Sequence, residues 1–252
     1  MHPPFGRTSA RSLELLTCTA LTEHGVPHGF TRRWRRGSGG EPFGLPDRDR
    51  ENARELAVSL GLTDAVLMRQ VHGNEVVRID APPAIPAVGD GLVTDRRGVA
   101  LTVQVADCVP LLYWDPVRRA AAAVHAGWRG TLAGVAPQAL ARLAEGYHSR
   151  PEDLLVAAGP AIGACCYEVG EEVVSLYRQR FPYASTLFRP GPRGREHLDV
   201  LEANRRQLLD AGVRPENVYA LGLCTSCDNS DFYSFRKEGR GVGRLLAAVG
   251  VS

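Results

Sequence analysis

A chain of 252 residues with 44% hydrophobic content can bury one large core or two small ones, and its net charge of +2 and pI near 8.3 are close to balanced. That balance offers no basic stripe for nucleic acid, no apolar run approaches the length of a membrane span, and Met1-His2-Pro3-Pro4-Phe5-Gly6-Arg7 lacks the apolar core of a signal peptide. The expectation is a cytoplasmic protein with no nucleic-acid and no membrane partner, whose six cysteines are too sparse for a disulfide scaffold and serve as ligands or core thiols.

In chain order, residues 1–30 mix short apolar stretches with His and Pro, and the Arg- and Gly-rich stretch 31–46 reads as a mobile loop. Its cluster of Arg32, Arg33, Trp34, Arg35 and Arg36 can clamp phosphate or stack on a base, although a charge run on a loop is usually a solvated face. The spacing of Ala53, Leu56, Ala57 and Leu60, with Gly61 just beyond, predicts a helix over 48–60. From Ala65 onward the pattern changes to short β-rich runs, predicted as strands at 66–70, 75–79, 99–105, 109–114 and 120–125. A helix follows over 131–144, with Leu132, Val135, Leu140 and Leu143 turned inward, then a strand over 154–158 and a helix over 170–181. A helix capped by Asp199 over 199–209, a strand over 218–223 and a final run over 243–251 complete the order. Tyr233-Ser234-Phe235-Arg236 reads as a strand whose aromatic and guanidinium groups can frame a heterocycle. With no repeat and no interdomain linker, these elements predict a single α/β domain over 1–252.

Three peptides at the ends of strand-like runs carry the chemistry: Gln70-Val71-His72-Gly73, Ala106-Asp107-Cys108-Val109-Pro110 and Ala123 to Gly130, which contains His125. Two imidazoles and one thiolate make a good donor set for Zn²⁺, and three protein ligands leave a fourth tetrahedral position open for water or substrate. Separations of 36 and 17 residues are too long for a zinc finger, so the fold must bring His72, Cys108 and His125 together. The bland alternative is that each is an ordinary core or surface residue. Gly73 and Gly127 permit close backbone approach, and Gln70 and Asp107 are candidates to orient the ligands.

Gly127-Trp128-Arg129-Gly130 leads into a helix expected near Thr131. It reads equally as an anion site beside Arg129 or as a tight turn in which Trp128 packs. Cys165-Cys166 and Cys224-Thr225-Ser226-Cys227 together offer four thiols. Adjacent cysteines diverge, however, and no helix begins at Cys227 as a redox motif requires, so these read as buried or near-site thiols.

Taken together, the peptides resemble the laccase-domain, or multicopper polyphenol oxidoreductase, family, whose members are described as purine nucleoside phosphorylases. The resemblance runs over roughly residues 62–250. Besides the three peptides above, it rests on Gly89-Asp90-Gly91, Gly159-Pro160-Ala161-Ile162-Gly163-Ala164-Cys165-Cys166-Tyr167-Glu168-Val169, Cys224-Thr225 and Tyr233-Ser234-Phe235-Arg236. It implies a layered α/β/β/α fold with mixed sheets, zinc held by His72, Cys108 and His125, and phosphorolysis of adenosine, inosine, guanosine and methylthioadenosine together with deamination of adenosine. The partners are then purine nucleosides and phosphate. Arg129 and Arg236 are substrate-side candidates by charge and position, with Gln70, Arg33 and Glu168 beside them and Asp107 or Glu168 to handle protons.

Residues 1–61 diverge from the family. Gly29-Phe30-Thr31-Arg32-Arg33 looks like its usual start, but Glu41-Pro42-Phe43-Gly44-Leu45-Pro46-Asp47 replaces its Ser-Leu-Asn-Leu-Gly segment, which alters one wall of the expected pocket. Four-copper chemistry is opposed by the presence of seven histidines with no His-x-His pair. Two other functions remain open. Some bacterial relatives are described as peptidoglycan editing factors that remove L-serine from a UDP-N-acetylmuramic acid precursor. A non-catalytic module would instead close the zinc site with a fourth ligand, for which Cys165, Cys166 and His197 are candidates.

Overall fold

Alternating residues along two sets of short strands build two six-stranded mixed sheets in the computed structural model, which describes residues 4–37 and 40–252. The first sheet runs in the order Phe5–Ala10, Leu13–Cys18, His28–Thr31, Leu245–Gly250, Val99–Val105 and Asp64–Val66, antiparallel except for its last pair. The second runs Val218–Ala220, Leu155–Ala158, Val109–Asp115, Ala120–Ala126, Gly91–Thr94 and Val76–Arg78, antiparallel in the middle and parallel at both edges.

Period-two alternation decides which side chains meet. Leu112, Trp114, Ala121 and Ala123 of the second sheet pack against Leu101, Val103, Ala247 and Val249 of the first. On its other face, Leu111, Tyr113, Ala122 and Val124 are covered by the helices Val135–Tyr147 and Val200–Asp210. Leu15, Leu246 and Ala248 on the outer face of the first sheet are covered by Ala53 and Leu56 of the helix Asp49–Ser59. Helix, sheet, sheet and helix therefore stack as the expected α/β/β/α layers. Ala120–Ala126 is buried at every position, so its small side chains are the means by which layers on both faces come close.

Differences from the predicted elements have local causes. The three strands before Thr31 are absent from the sequence reading because Phe5–Ala10 is an edge strand with four consecutive exposed positions and no alternation. The helix expected over 131–144 is two: a turn at Trp128–Leu132 and a longer helix from Val135, separated by Gly134, whose φ of +81° suits glycine. Tyr233 to Arg236 is not a strand, since Ser234 caps a one-turn helix, Phe235–Glu238, by accepting from the Lys237 amide. The Asp199 cap forms as expected, with its carboxylate accepting from the Glu202 amide at 2.9 Å.

The loop at 31–46 is anchored at several points; Ser38 and Gly39 lie outside the described residues. Arg32 pairs with Asp231 at 2.5 Å, Arg33 with Glu238 at 2.9 Å, and Arg35 with Glu55, while Trp34 bridges to Pro42 and Phe43 is buried. These arginines hold the loop to its surroundings and form neither a phosphate clamp nor a solvated face. Among the described residues no helix is long and apolar enough to cross a membrane.

Candidate metal centre

Three chain segments converge where the second sheet meets the loops at its edge. His125 lies near the end of Ala120–Ala126, opposite Pro110 in the antiparallel register, and this hairpin pairing brings Cys108, just before Val109, alongside it. His72 follows the short strand Met68–Gln70, and its ring centroid lies 4.8 Å from that of His125 in an edge-on arrangement. The ligand atoms of His72, Cys108 and His125 all lie within 4.8 Å of one another. Among the described residues no fourth His, Cys, Asp or Glu belongs to the group.

Asp90 organises this triad. It is fully buried between Gly89 and Gly91 and accepts from His125 Nδ1 at 2.8 Å, from the His72 amide at 2.9 Å and from the Gly73 amide at 2.6 Å, with the Val71 amide at 3.4 Å. The bond to Nδ1 leaves His125 Nε2 as its free ligand atom. The amide bonds hold His72 at a φ of +59°, a left-handed conformation that a non-glycine residue enters at a cost of about 1 kcal/mol. The two glycines are required by space: a Cβ at position 89 would lie 2.8 Å from the Glu75 carbonyl oxygen, and one at 91 would lie 2.8 Å from Val76. Sequence reasoning quoted this motif without a role. An acid between two glycines beside a strand start is the signal that points to it.

The electrostatics suit a cation. Burial pushes the Cys108 thiol up, but His125 and hydrogen bonds from both histidines outweigh this and hold it at about 6. Burial lowers His125, yet the Cys108 thiolate and Asp90 raise it to about 9. Burial likewise pushes the Asp90 carboxyl up, and its bonds to His125 and Gly73 bring it below the usual range. A thiolate and a buried carboxylate thus draw positive charge to one point. Space is reserved there as well, because a Cβ on Gly127 would stand 3.0 Å from both Cys108 Sγ and His72 Nδ1. Donor set, charge and clearance all fit a zinc ion.

The triad borders a cavity of about 690 Å³ whose other walls include Gln70, Asp107, Trp128, Arg129, Tyr167, Phe235 and Arg236. Asp107, at a φ of +92°, accepts from Thr225 Oγ1 and from the Arg236 amide, each at 2.6 Å, so it fixes those loops and not a ligand histidine. Gln70 makes a double hydrogen bond to the Gln104 backbone, both arms at 2.8 Å. Asp90 therefore does the orienting expected of Gln70 and Asp107. Arg236 donates to the Glu168 carbonyl at 2.7 Å and lies over Tyr167. Arg129 stacks on Trp128, 4.2 Å from the ring centre, while Trp128 also packs on the core.

Two expected substrate residues face elsewhere. The Glu168 carboxylate pairs with Arg195 at 3.4 Å, and Arg33 sits over Tyr233 with its guanidinium on Glu238; neither borders the cavity. His197 donates through Nδ1 to the Ala164 carbonyl at 2.9 Å and does not belong to the triad. Cys165, Cys166, Cys224 and Cys227 form a separate group with all four sulfurs within 4.8 Å, which corrects the expectation that the adjacent pair diverges.

The family described as multi-copper polyphenol oxidoreductase laccase matches residues 45–252. The chain is 40% identical over 212 residues to purine nucleoside phosphorylase YlmD of Geobacillus stearothermophilus, covering 79% of this chain and 77% of that protein. It is 38% identical over 253 residues to a purine nucleoside phosphorylase of Deinococcus radiodurans, covering 96% and 95%. The crystal structure of the Geobacillus YlmD superposes with a TM-score of 0.86 at 35% identity, covering 99% of each chain.

Proposed function

The chain belongs to the multi-copper polyphenol oxidoreductase laccase family, and from that premise we propose that it is a zinc-dependent purine nucleoside enzyme. Its reactions are phosphorolysis of adenosine, inosine, guanosine and methylthioadenosine, and deamination of adenosine. The observation that carries this reading is the meeting of a His72, Cys108 and His125 triad with two arginines around one cavity large enough for a nucleoside. The names of the relatives support the same substrate class.

His72, Cys108 and His125 would hold the zinc, which would supply Lewis acidity toward a bound water or substrate oxygen. Trp128, Tyr167 and Phe235 provide flat apolar surface for a purine. Arg129 and Arg236 attract phosphate, and Arg236 is held ready by the Glu168 carbonyl and Asp107. In phosphorolysis a phosphate oxygen forms the new bond to the sugar C1′, the C1′–N9 bond breaks, and its electron pair leaves with the base, which takes up a proton. Asp107 is a carboxylate on the cavity wall able to move a proton, because each of its oxygens keeps a second lone pair beyond the bonds described.

Incubating the purified protein with adenosine tests the reading. Adenine and ribose 1-phosphate are expected only when phosphate is present, and inosine with or without it. Arg129→Ala should raise KM for phosphate about tenfold or more, as expected for loss of a charged hydrogen bond. Absence of adenine, inosine and hypoxanthine, or release of serine from UDP-N-acetylmuramoyl-L-serine in their place, refutes it. Protein purified without added metal that carries stoichiometric copper and no zinc refutes the choice of zinc.

A further inference from the structure

Outside the triad, the densest group of metal-binding atoms is the cysteine quartet of Cys165, Cys166, Cys224 and Cys227. All four are free thiols. Cys227 Sγ lies 3.5 Å from Cys165 Sγ and 3.4 Å from Cys166 Sγ, and every pair in the group is within 4.8 Å. A zinc–sulfur distance of about 2.3 Å places sulfurs roughly 3.8 Å apart at the corners of a tetrahedron, inside that range. We propose that Cys165, Cys166, Cys224 and Cys227 bind a second, structural zinc ion that clips two loops of the cavity wall together.

Local backbone makes the adjacent pair usable. Residues 164–166 form a turn in which the Cys166 and Tyr167 amides both donate to the Gly163 carbonyl, at 2.9 and 3.0 Å. In such a helical turn neighbouring side chains point about 100° apart, whereas in a strand they point to opposite faces, so both sulfurs reach Cys227. On the other loop, Cys224-Thr225-Ser226-Cys227 has the two-residue spacing of a zinc knuckle, tightened by the Asp228 amide donating to the Cys224 carbonyl at 2.9 Å.

The surroundings are those of a metal-bound thiolate. The Gly163 amide donates to Cys224 Sγ at 3.3 Å, and a Cβ on Gly163 would lie 3.2 Å from Cys165 Sγ. Glycine is therefore what lets the backbone come against the sulfurs. The only lysine of the chain, Lys237 in Phe235–Glu238, donates through Nζ to the Ser226 carbonyl at 3.1 Å, which brings a cation to the loop between Cys224 and Cys227. Three or more irons bridged by sulfide would hold the thiolates further apart than a single ion does, which favours one tetrahedral ion.

The position gives the clip a purpose. Thr225, inside the knuckle, bonds Asp107 through Oγ1 and the Ala161 carbonyl through its amide, while the Ile162 amide donates to the Asp107 carbonyl at 2.9 Å. Tyr167 follows Cys166 directly, and Arg236 donates through its amide to the Asp107 carboxylate and through its guanidinium to the Glu168 carbonyl. Joining the loops fixes the wall that faces the triad.

The test separates the two metal sites. Cys108→Ala removes a ligand of the triad only, so the full-length variant is expected to carry about one zinc per chain by elemental analysis, where the unaltered protein carries about two. Loaded with cobalt, Cys108→Ala should keep the strong thiolate-to-metal absorption of a four-sulfur site, and adding Cys227→Ser should abolish it. Zinc-free Cys108→Ala protein overturns the proposal, whether or not its nucleoside activity is lost. So does iron in place of zinc, or a thiol count in denaturant, taken without reductant, that reveals disulfides among these four cysteines.

Discussion

Asp90→Asn is the most informative change near the triad, because it keeps shape and volume while inverting half of a hydrogen-bond pattern. The carboxylate faces only donors: His125 Nδ1 and the His72 amide on one oxygen, the Gly73 and Val71 amides on the other. An amide group must set its NH₂ against one of these two pairs. The pair so faced loses its acceptor in a site with no exposure to water. Hydrogen bonds to a charged group are worth about 1.5–3 kcal/mol each, so loss of two close ones destabilises the fold by about 3 kcal/mol or more. In a chain of this size that lowers the unfolding midpoint by roughly 6–12 °C. With the His125 tautomer released and the left-handed turn at His72 loosened, zinc affinity should fall about 10–100-fold. Thermal unfolding in chelator measures the first effect, and competition with a chromophoric chelator measures the second. If Asp90→Asn unfolds at the original temperature and binds zinc as tightly as before, Asp90 does not organise the site.

Cys108→Ala should fold, since it removes one sulfur at the margin of a large core, and nucleoside turnover should disappear along with the zinc of that site; circular dichroism, elemental analysis and product chromatography check these together. Gly127→Ala is compatible with the backbone at φ −77°, but its methyl group intrudes on Cys108 and His72, so zinc affinity measured by chelator competition should drop about tenfold or more while secondary structure is retained. Asp199→Ala removes a helix cap far from the triad and should cost about 1 kcal/mol, seen as a fall of roughly 2–4 °C in the unfolding midpoint with zinc content unchanged.

Much of this protein is legible in local sequence. Hydrophobic periodicity and the glycine stop place the helix Asp49–Ser59, and Val99–Val105, Val109–Asp115 and Ala120–Ala126 read as strands because each is mostly apolar and bounded by turn residues. His72, Cys108 and His125 stand out for the same reason: ligand chemistry is written in residue type, and each sits where an apolar run ends. Partners are not written there. Of the first three strands, His28–Thr31 joins the sheet by pairing with Leu245–Gly250, more than 200 residues away, and the other two add to its far edge, so no local pattern announces them. Asp90 gains its role only when strand register and two glycines bring it against both histidines, and Arg33 lies off the cavity because Glu238 and Tyr233 hold it. The cysteine quartet is the clearest case. Side-chain direction depends on the backbone angles of residues 164–166, and the meeting of Cys165 and Cys166 with Cys227 depends on contacts across some 60 positions of chain, which only the packed structure decides.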